Sequence, residues 1–435
     1  MDNQDETMIK YLRILCVAFV LFLSNVSGGQ TLSKGSLVIV GGGLEANNKS
    51  IFNHMIGLAG GVDKAAFAVI PSAGGTPVQS FMYFRSELIS YGVKPGNIHL
   101  IPVALMDDDS TRDVNESEWK NNGNNPRLAG LVRKCSAVWF TGGDQLRIMK
   151  TLVNPDGSKT AVLKAIWDVF TAGGMVGGTS AGAAIMSEAM IGGGNSIAAL
   201  THGVVTDYQG DDFPESDGVL MSQGLGFFPL GIVDQHFNKR ARLGRLVVAL
   251  MNEKPKFTKG FGVDENTALI YIGSQNLVKI AGAAGVTIIN AADAGISYAQ
   301  KLPVIENLSV SYLDDGDSYD IKTGVITPAA DKKPTRGKEY YKVQNPGQAG
   351  VLSGYSNSFP DLITVNLIDN KGRDTVRNLS FYDQFAGFQV TLCKTPLSAG
   401  YYCDRPLEGD KYTVTGIRMD ICPVQITVTP MKNKQ

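Results

Sequence analysis

The sequence GGMVGGTSAGAAIMSEAM (173–190) joins a short apolar segment directly to a run with helical spacing. Gly178, Ser180 and Gly182 form a Gly-x-Ser-x-Gly pattern at the junction. Flanking glycines allow a tight strand-to-helix turn that exposes the serine hydroxyl above the edge of a sheet. We therefore predict that Ser180 is a nucleophile and that the Ala181 amide faces a developing oxyanion. The alternative is a glycine-rich helix start that binds phosphate or nothing.

Apolar runs alternate with helical stretches on the amino-terminal side of this turn. Strands are predicted at 36–40, 65–71, 97–103, 136–143 and 173–178, with helices near 48–59 and 78–90. Further strands are expected at 231–235, 261–263 and 268–272, the last turning through 273–276 into a hairpin. Repeated strand–helix units indicate an α/β fold, a parallel sheet with helices on both faces. Ligands bind at the carboxyl ends of such strands.

The composition and the hydrophobic pattern of the chain change after about Pro328. A charged segment and a Gly/Ser/Asn-rich segment follow, and the rest alternates apolar with polar residues. Period-two strands are predicted at 363–369, 387–393, 411–417 and 423–430. We therefore expect a catalytic domain at 34–328 and a small β-rich accessory domain at 329–435.

The amino terminus has the features of a targeting segment. Lys10 and Arg13 precede the apolar run 14–23, and small residues follow that run. A run of this length is too short for a membrane span. We therefore predict a signal peptide at 1–28 and a secreted or periplasmic protein.

Charge and ligand spacing argue against several classes of function. Forty basic and forty-one acidic residues give a formal net charge of -1, so no global field attracts nucleic acid or an anionic membrane. The four histidines lack metal-ligand spacing, and we expect no metal. An oxidising compartment would permit a disulfide among Cys393, Cys403 and Cys422.

The glycines after the first predicted strand match a dinucleotide fingerprint only by letter. Residues 41–43 are glycines and Ala46 follows, but the second strand ends at Pro71 and Ser72 without the acidic residue that would hold a ribose. We interpret these glycines as a tight turn near the active site, and we expect no cofactor.

A nucleophilic serine needs a general base, and His236 is the best candidate. It ends an apolar run, which would place it at the same rim of the sheet as Ser180, and it stands in a dense polar cluster. The alternative is a structural histidine. A carboxylate must orient the imidazole, and the candidates are Asp234, Asp264 and Glu265; neighbours on one strand rarely meet in good geometry, which disfavours Asp234.

The sequence TGGDQ (141–145) ends another strand. Its glycines allow backbone amides to approach a substrate, so Gly143 is a candidate second oxyanion donor and Gln145 a candidate substrate ligand. The alternative is a plain strand-to-helix turn, and for Asp144 the role of helix N-cap is favoured.

Six motifs resemble cyanophycinase, a relative of peptidase E. They occur in order over roughly 34–328: VGGGLEANN, AVIPSAGG, FTGGDQLR, GGTSAGAAIMS, VDQHFNKRARLGRL and GFGVDENTAL. The resemblance implies a three-layer fold like that of class I glutamine amidotransferases. It also implies a catalytic triad of Ser180, His236 and Glu265, which selects one acid from the candidates above.

The resemblance also implies a substrate. Cyanophycinases cut cyanophycin, a poly-aspartate whose side chains carry arginine, into β-aspartyl-arginine dipeptides. The positions that match substrate ligands are Gln145, Asp234, Gln235, Arg240 and Arg245, although the arginines could be solvated helix charges. The alternative functions are a peptidase E-like exopeptidase acting on Asp-Xaa peptides and a secreted binding protein without turnover. Family members often form dimers, so a homodimer is compatible with the resemblance.

Overall fold

The computed structural model describes residues 34–210, 212–342, 350–354 and 358–427, which belong to one compact unit. The predicted signal peptide, 1–28, lies outside the described residues. Helices are α1 (Lys49–Leu58), α2 (Pro77–Ser90), α3 (Pro126–Val132), α4 (Gln145–Leu152), α5 (Ala161–Thr171), α6 (Ala181–Ala184), α7 (Ser196–His202), α8 (Leu243–Glu253) and α9 (Ser358–Ile363). None of the helices in this part of the chain has the length and apolar character to cross a membrane.

The strands form three sheets. In chain order they are β1 (Ser36–Val40), β2 (Phe67–Ile70), β3 (Ile98–Leu100), β4 (Ala137–Phe140), β5 (Met175–Thr179), β6 (Ala189–Gly194), β7 (Val204–Val205), β8 (Val219–Gln223), β9 (Ile232–Asp234), β10 (Lys259–Val263), β11 (Thr267–Ile272), β12 (Leu277–Gly282), β13 (Val286–Asn290), β14 (Gly295–Ala299), β15 (Leu302–Leu313), β16 (Ser318–Asp320), β17 (Ile326–Thr327), β18 (Lys333–Pro334), β19 (Thr375–Phe381), β20 (Ala386–Cys393), β21 (Ala399–Arg405) and β22 (Gly409–Gln425).

The first sheet has the order β17-β16-β12-β11-β1-β5-β4-β2-β3. Strands β1, β5, β4, β2 and β3 are parallel, whereas β11, β12, β16 and β17 continue the sheet in antiparallel fashion. Its parallel strands are apolar along their length because both faces are buried. On one face Val38, Val69 and Trp139 pack against α1 and α2. The predicted α/β architecture is confirmed.

The second sheet joins early and late parts of the chain. Its path is β18-β21-β22-β15-β13-β10-β9, with β14 paired to β15 and with β20 joining β19 to β22. One core lies under this sheet, and it combines Leu246 and Leu250 of α8 with Phe388 and Ile417 from the carboxyl-terminal strands. Residues after 328 are β-rich as expected, and they share a sheet and a core with the residues before 328.

One predicted strand in the carboxyl-terminal segment is wrong. Residues 363–368 are helical, because α9 runs directly into a five-residue π-helix, Thr364–Ile368, and Asp369 is its C-cap. The apolar residues that suggested alternation also recur at helical spacing, and Ile363 and Leu367 enter the second core together. The strand predicted at 411–417 and the start of the one predicted at 423–430 form a single strand, β22, which ends at Gln425 and has Gly416 at φ 69. Residues 428–430 lie outside the described residues.

The four cysteines of the described region, Cys135, Cys393, Cys403 and Cys422, are free. The structure does not contain the disulfide that an oxidising compartment would permit, and strand register gives the reason. Cys393 lies opposite Arg418, Cys422 opposite Gln389, and Cys403 opposite Lys411, so no two of these cysteines are paired across strands.

Candidate active site

Ser180 occupies the sharp turn between β5 and α6. Its backbone angles are φ 56 and ψ -109, a conformation that side chains rarely adopt. A Cβ on Gly178 would lie 2.7 Å from the Gly182 Cα, and a Cβ on Gly182 would lie 2.6 Å from the Phe140 carbonyl oxygen. The turn therefore requires both glycines, and it leaves Ser180 partly exposed.

The structure brings Ser180, His236 and Glu265 together. The Ser180 Oγ lies 2.8 Å from the His236 Nε2, and the His236 Nδ1 lies 2.6 Å from the Glu265 Oε1. His236 follows β9 and Glu265 follows β10, which are parallel neighbours, so their carboxyl ends adjoin. The expectation that His236 shares a sheet with Ser180 is wrong, because β9 and β10 belong to the second sheet and β5 to the first.

The glycine turn after β1 links the two sheets at this point. The Gly41 carbonyl accepts the His236 amide at 2.6 Å, and the Gly42 carbonyl accepts the Asn266 amide at 2.7 Å. Gly42 has φ 103, and a Cβ there would lie 2.2 Å from the imidazole Cε1. The predicted tight turn near the site is therefore present, and it packs directly against the imidazole.

His236 is buried, and burial lowers its pKa to about 4. The hydrogen bond to Glu265 opposes this effect by raising the pKa, while the positive charges of Arg240 and Arg242 lower it further. A neutral imidazole can accept a proton from a serine hydroxyl, so these surroundings keep the ring competent as a base at neutral pH.

A second carboxylate, Asp264, supports the loop that carries the imidazole. It accepts the Asn238 backbone amide at 3.1 Å and the Asn238 side-chain amide at 2.6 and 2.7 Å. Burial raises the Asp264 pKa to about 7. The sequence could not distinguish Asp264 from Glu265 as the acid that orients the imidazole. In the structure Glu265 contacts the imidazole, and Asp264 binds Asn238, two residues after His236.

Asp234 and Arg245 bind each other rather than facing the solvent. The Arg245 Nε donates to the Asp234 Oδ2 at 2.9 Å, and the Arg245 Nη2 donates to the Asp234 Oδ1 at 2.5 Å. The Arg245 Nη1 donates to the Gly194 carbonyl at 2.6 Å. Both residues are almost fully buried. Neither is available to a substrate in this structure, so their predicted role as substrate ligands is corrected to support of the loop after β9.

The other three predicted ligands have different surroundings. Gln145 is buried, and its side-chain amide donates to the Ile191 and Gly192 carbonyls at 3.1 and 2.6 Å. Gln235 has a buried Oε1 without a hydrogen-bond partner. Arg240 is exposed and lines a small pocket on the Glu215 side of the loop. Arg240 is therefore the predicted ligand that is most open to an approaching substrate.

The two predicted oxyanion donors have unused amides. Neither Gly143 nor Ala181 donates its backbone N–H to another described residue. Ala181 directly follows the nucleophile, and the neighbouring Gly142 lines the same cleft as Ser180. Asp144 accepts the Leu146 amide at 2.8 Å, which confirms its role as N-cap of α4.

The cleft above Ser180 contains residues that the sequence did not single out. It has a volume of about 540 Å³ and lies between the strand ends and one face of α2. That face contributes Gln79, Tyr83 and Glu87, at helical spacing. A carboxylate at position 87, between Phe84 and Leu88 on the apolar face of a helix, is the signal that could have identified this wall.

Comparison with known proteins identifies the family of this chain. The model of peptidase family S51 matches residues 37–278. A cyanophycinase of Geminocystis herdmanii is 31% identical over 300 residues, 68% of this chain and 96% of that protein. A cyanophycinase of Synechococcus elongatus is 30% identical over 297 residues, 67% of this chain and 80% of that protein.

Among solved structures, the chain is similar to a peptidase from an acI-B1 actinobacterium, with 22% identity and a TM-score of 0.45 over 67% of this chain and 98% of that one. The cyanophycinase resemblance indicated by the six motifs is confirmed by the family match and the curated relatives. The chain therefore belongs to peptidase family S51 and is a serine-type peptidase.

Proposed function

We propose that this protein degrades cyanophycin to β-aspartyl-arginine dipeptides through an acyl-enzyme. The observation that carries the proposal is the 2.8 Å contact between the Ser180 Oγ and the His236 Nε2, with Glu265 on the other ring nitrogen. The substrate comes from the relatives, which are cyanophycinases.

In the proposed first step, the Ser180 Oγ attacks a backbone aspartyl carbonyl carbon while His236 takes the hydroxyl proton. The amides of Ala181 and Gly143 stabilise the oxyanion. The C–N bond then breaks as His236 returns its proton to the leaving amine. In the second step His236 deprotonates a water molecule, which attacks the serine ester. The ester C–O bond breaks as His236 returns the proton to the Ser180 Oγ, which releases the carboxylate product.

Glu265 holds the imidazole in the tautomer whose Nε2 can accept a proton. The supporting observation is that the Nδ1 side of the ring faces Glu265 at 2.6 Å and the Nε2 side faces the hydroxyl.

Removal of the nucleophile tests the proposal. We expect Ser180→Ala to release dipeptide from purified cyanophycin on the order of ten-thousandfold more slowly than the wild type. Ser86→Ala, which removes an exposed hydroxyl of α2, is the matched control and should keep full activity. Mass analysis of the soluble products measures the outcome, and undiminished digestion by Ser180→Ala would refute the mechanism.

The two alternative functions predict different results. A peptidase E-like exopeptidase would release aspartate from Asp-Xaa dipeptides and leave the polymer intact. A secreted binding protein would retain the polymer but would not react with a serine-directed fluorophosphonate.

We also propose that the protein acts after export, in the periplasm or outside the cell, because positive residues and a short apolar run precede the catalytic region. The test is the size of the mature protein recovered from the producing cells and from their medium.

A further inference from the structure

The cleft beside Ser180 contains a buried carboxylate that the proposed mechanism does not use. Glu87 is only 6% exposed, and its Oε1 has no hydrogen-bond partner. No described lysine or arginine forms an ion pair with it. A buried carboxylate without a compensating cation is costly to the fold, so its presence inside a substrate cleft points to a cationic ligand.

The electrostatic surroundings support this interpretation. Burial raises the Glu87 pKa to about 7, although the Tyr83 side chain lowers it through a hydrogen bond. The charge of Glu87 raises the pKa of Tyr83, and burial together with that charge raises the pKa of Tyr91. A bound cation would favour the ionised carboxylate and remove this penalty.

The position of Glu87 defines what kind of ligand can reach it. Ser80, on the same face of α2, lies at the nucleophile end of the cleft. A Cβ on Gly74 would lie 3.4 Å from the Ser80 Oγ and 3.6 Å from the carbonyl oxygen of Gly142, which lines the cleft with Ser180. Glu87 is two turns further along, an advance of about 10 Å along the helix axis. A group held by Glu87 therefore has to be carried on a long side chain.

The wall between the two ends suits the stem of such a side chain. Phe84 and Trp139 stack with their ring centroids 4.8 Å apart, and Leu44 lines the cleft with them. Tyr83, which is 62% exposed, adds an aromatic ring near the carboxylate. Methylene groups pack on apolar walls, and aromatic rings attract guanidinium groups.

We propose that Glu87 binds the guanidinium of the arginine carried by the aspartyl residue that Ser180 attacks. The inference rests on the proposed function for its substrate. It assigns to Glu87 the selection of a cationic side chain over a neutral one of the same shape.

The first test compares Glu87→Gln with the wild type on two synthetic oligomers, one with β-linked arginine and one with β-linked citrulline, the neutral isostere. We expect kcat/KM on the arginine oligomer to fall on the order of ten- to a hundredfold, mainly through KM, because a charge-assisted contact is lost. On the citrulline oligomer the variant should match the wild type. Glu45→Gln, which removes an exposed acid next to Leu44, is the control and should leave both rates unchanged.

An unchanged rate of Glu87→Gln on the arginine oligomer would overturn the inference. An equal loss on both oligomers would also overturn it, because that result would mean a structural role for Glu87.

The second test does not depend on hydrolysis. Agmatine, which carries a guanidinium on a short alkyl chain, should slow the labelling of Ser180 by a fluorophosphonate in the wild type and not in Glu87→Gln. Protection of the wild type together with intact cyanophycin would support the cation site and reject the proposed function. Digestion of cyanophycin without protection by agmatine would reject the cation site and keep the proposed function.

Discussion

Ser180 and His236 both have backbone angles that non-glycine residues rarely adopt, with φ values of 56 and 47. Each such residue costs on the order of 1–3 kcal/mol, and it persists only where its surroundings fix it. The Ser180 amide donates a hydrogen bond to the Val40 carbonyl at 3.0 Å, and the His236 amide donates one to the Gly41 carbonyl. These hydrogen bonds hold the two residues in place. The two residues that must face each other are thus both strained, and so are Ala241 and Asn266, which follow His236 and Glu265 in the chain.

The charges around His236 predict how the enzyme responds to acid. Because the His236 pKa is lowered to about 4, the imidazole stays neutral as the pH falls from 7 to about 5 and becomes protonated near 4. We expect the rate of Ser180 labelling by a fluorophosphonate to stay level over that range and to fall near pH 4. Arg240→Gln removes a charge that lowers the pKa, so the acidic limb should move to higher pH.

The matched control is Lys239→Gln, which removes the charge of an exposed neighbour that is not among the main causes of the His236 pKa shift. An acidic limb near pH 6.5 in the wild type, or an equal displacement by both substitutions, would contradict this electrostatic account.

At the scale of elements, the glycine turn after β1 sets the position of the imidazole. Alanine at position 42 would be strained at φ 103, and its Cβ would lie 2.2 Å from the ring. The ring would have to move away from Ser180, and a displacement of about 1 Å can cost about a hundredfold in rate. We expect Gly42→Ala to lower kcat by about that factor, measured on cyanophycin.

Gly61→Ala separates displacement from backbone strain, because Gly61 has φ 83 but its added Cβ would meet nothing within 4 Å. It should lower the melting temperature and leave kcat unchanged. A Gly42→Ala enzyme with the kcat of the wild type would show that the turn does not position the ring.

Local sequence patterns predict a turn, a cap or a helix correctly where a single local interaction determines the structure. The turn at Ser180, the cap at Asp144 and helix α2 follow from glycine, capping and apolar spacing. The helix at 358–368 was missed because a short apolar run fits both periods. The resemblance assigned Asp234 and Arg245 to the substrate, and it shows neither their burial nor the ion pair between them.

At the scale of the whole molecule, a buried ion pair ties the end of the chain to the region before residue 328. The Lys332 Nζ lies 2.7 Å from the Asp317 Oδ1 and also donates to the Tyr412 carbonyl and the Thr413 hydroxyl of β22. The side chains of Lys332 and Asp317 are fully buried. No local pattern predicts this contact, because its members lie far apart in sequence and only the fold brings them together.

Removing one partner leaves a buried charge without compensation. We expect Lys332→Met to lower the free energy of unfolding by about 3–5 kcal/mol, measured by urea denaturation. Lys333→Met, at an exposed neighbour, should change it by less than about 0.5 kcal/mol. The double variant Lys332→Met/Asp317→Asn should regain part of the loss, and equal stability of the two single variants would contradict the assigned role.

The last strand of the described residues, β22, is an interior strand of its sheet, with β15 on one side and β20 and β21 on the other. During synthesis one edge of β15 therefore stays unpaired until β22, which begins about a hundred residues later, has been made. Pairing of strands so far apart in sequence is slow, and an unpaired strand edge can pair with other chains and aggregate. The second core therefore cannot close before β22 has been synthesised, so a holdase chaperone that covers this edge should raise the yield of folded protein.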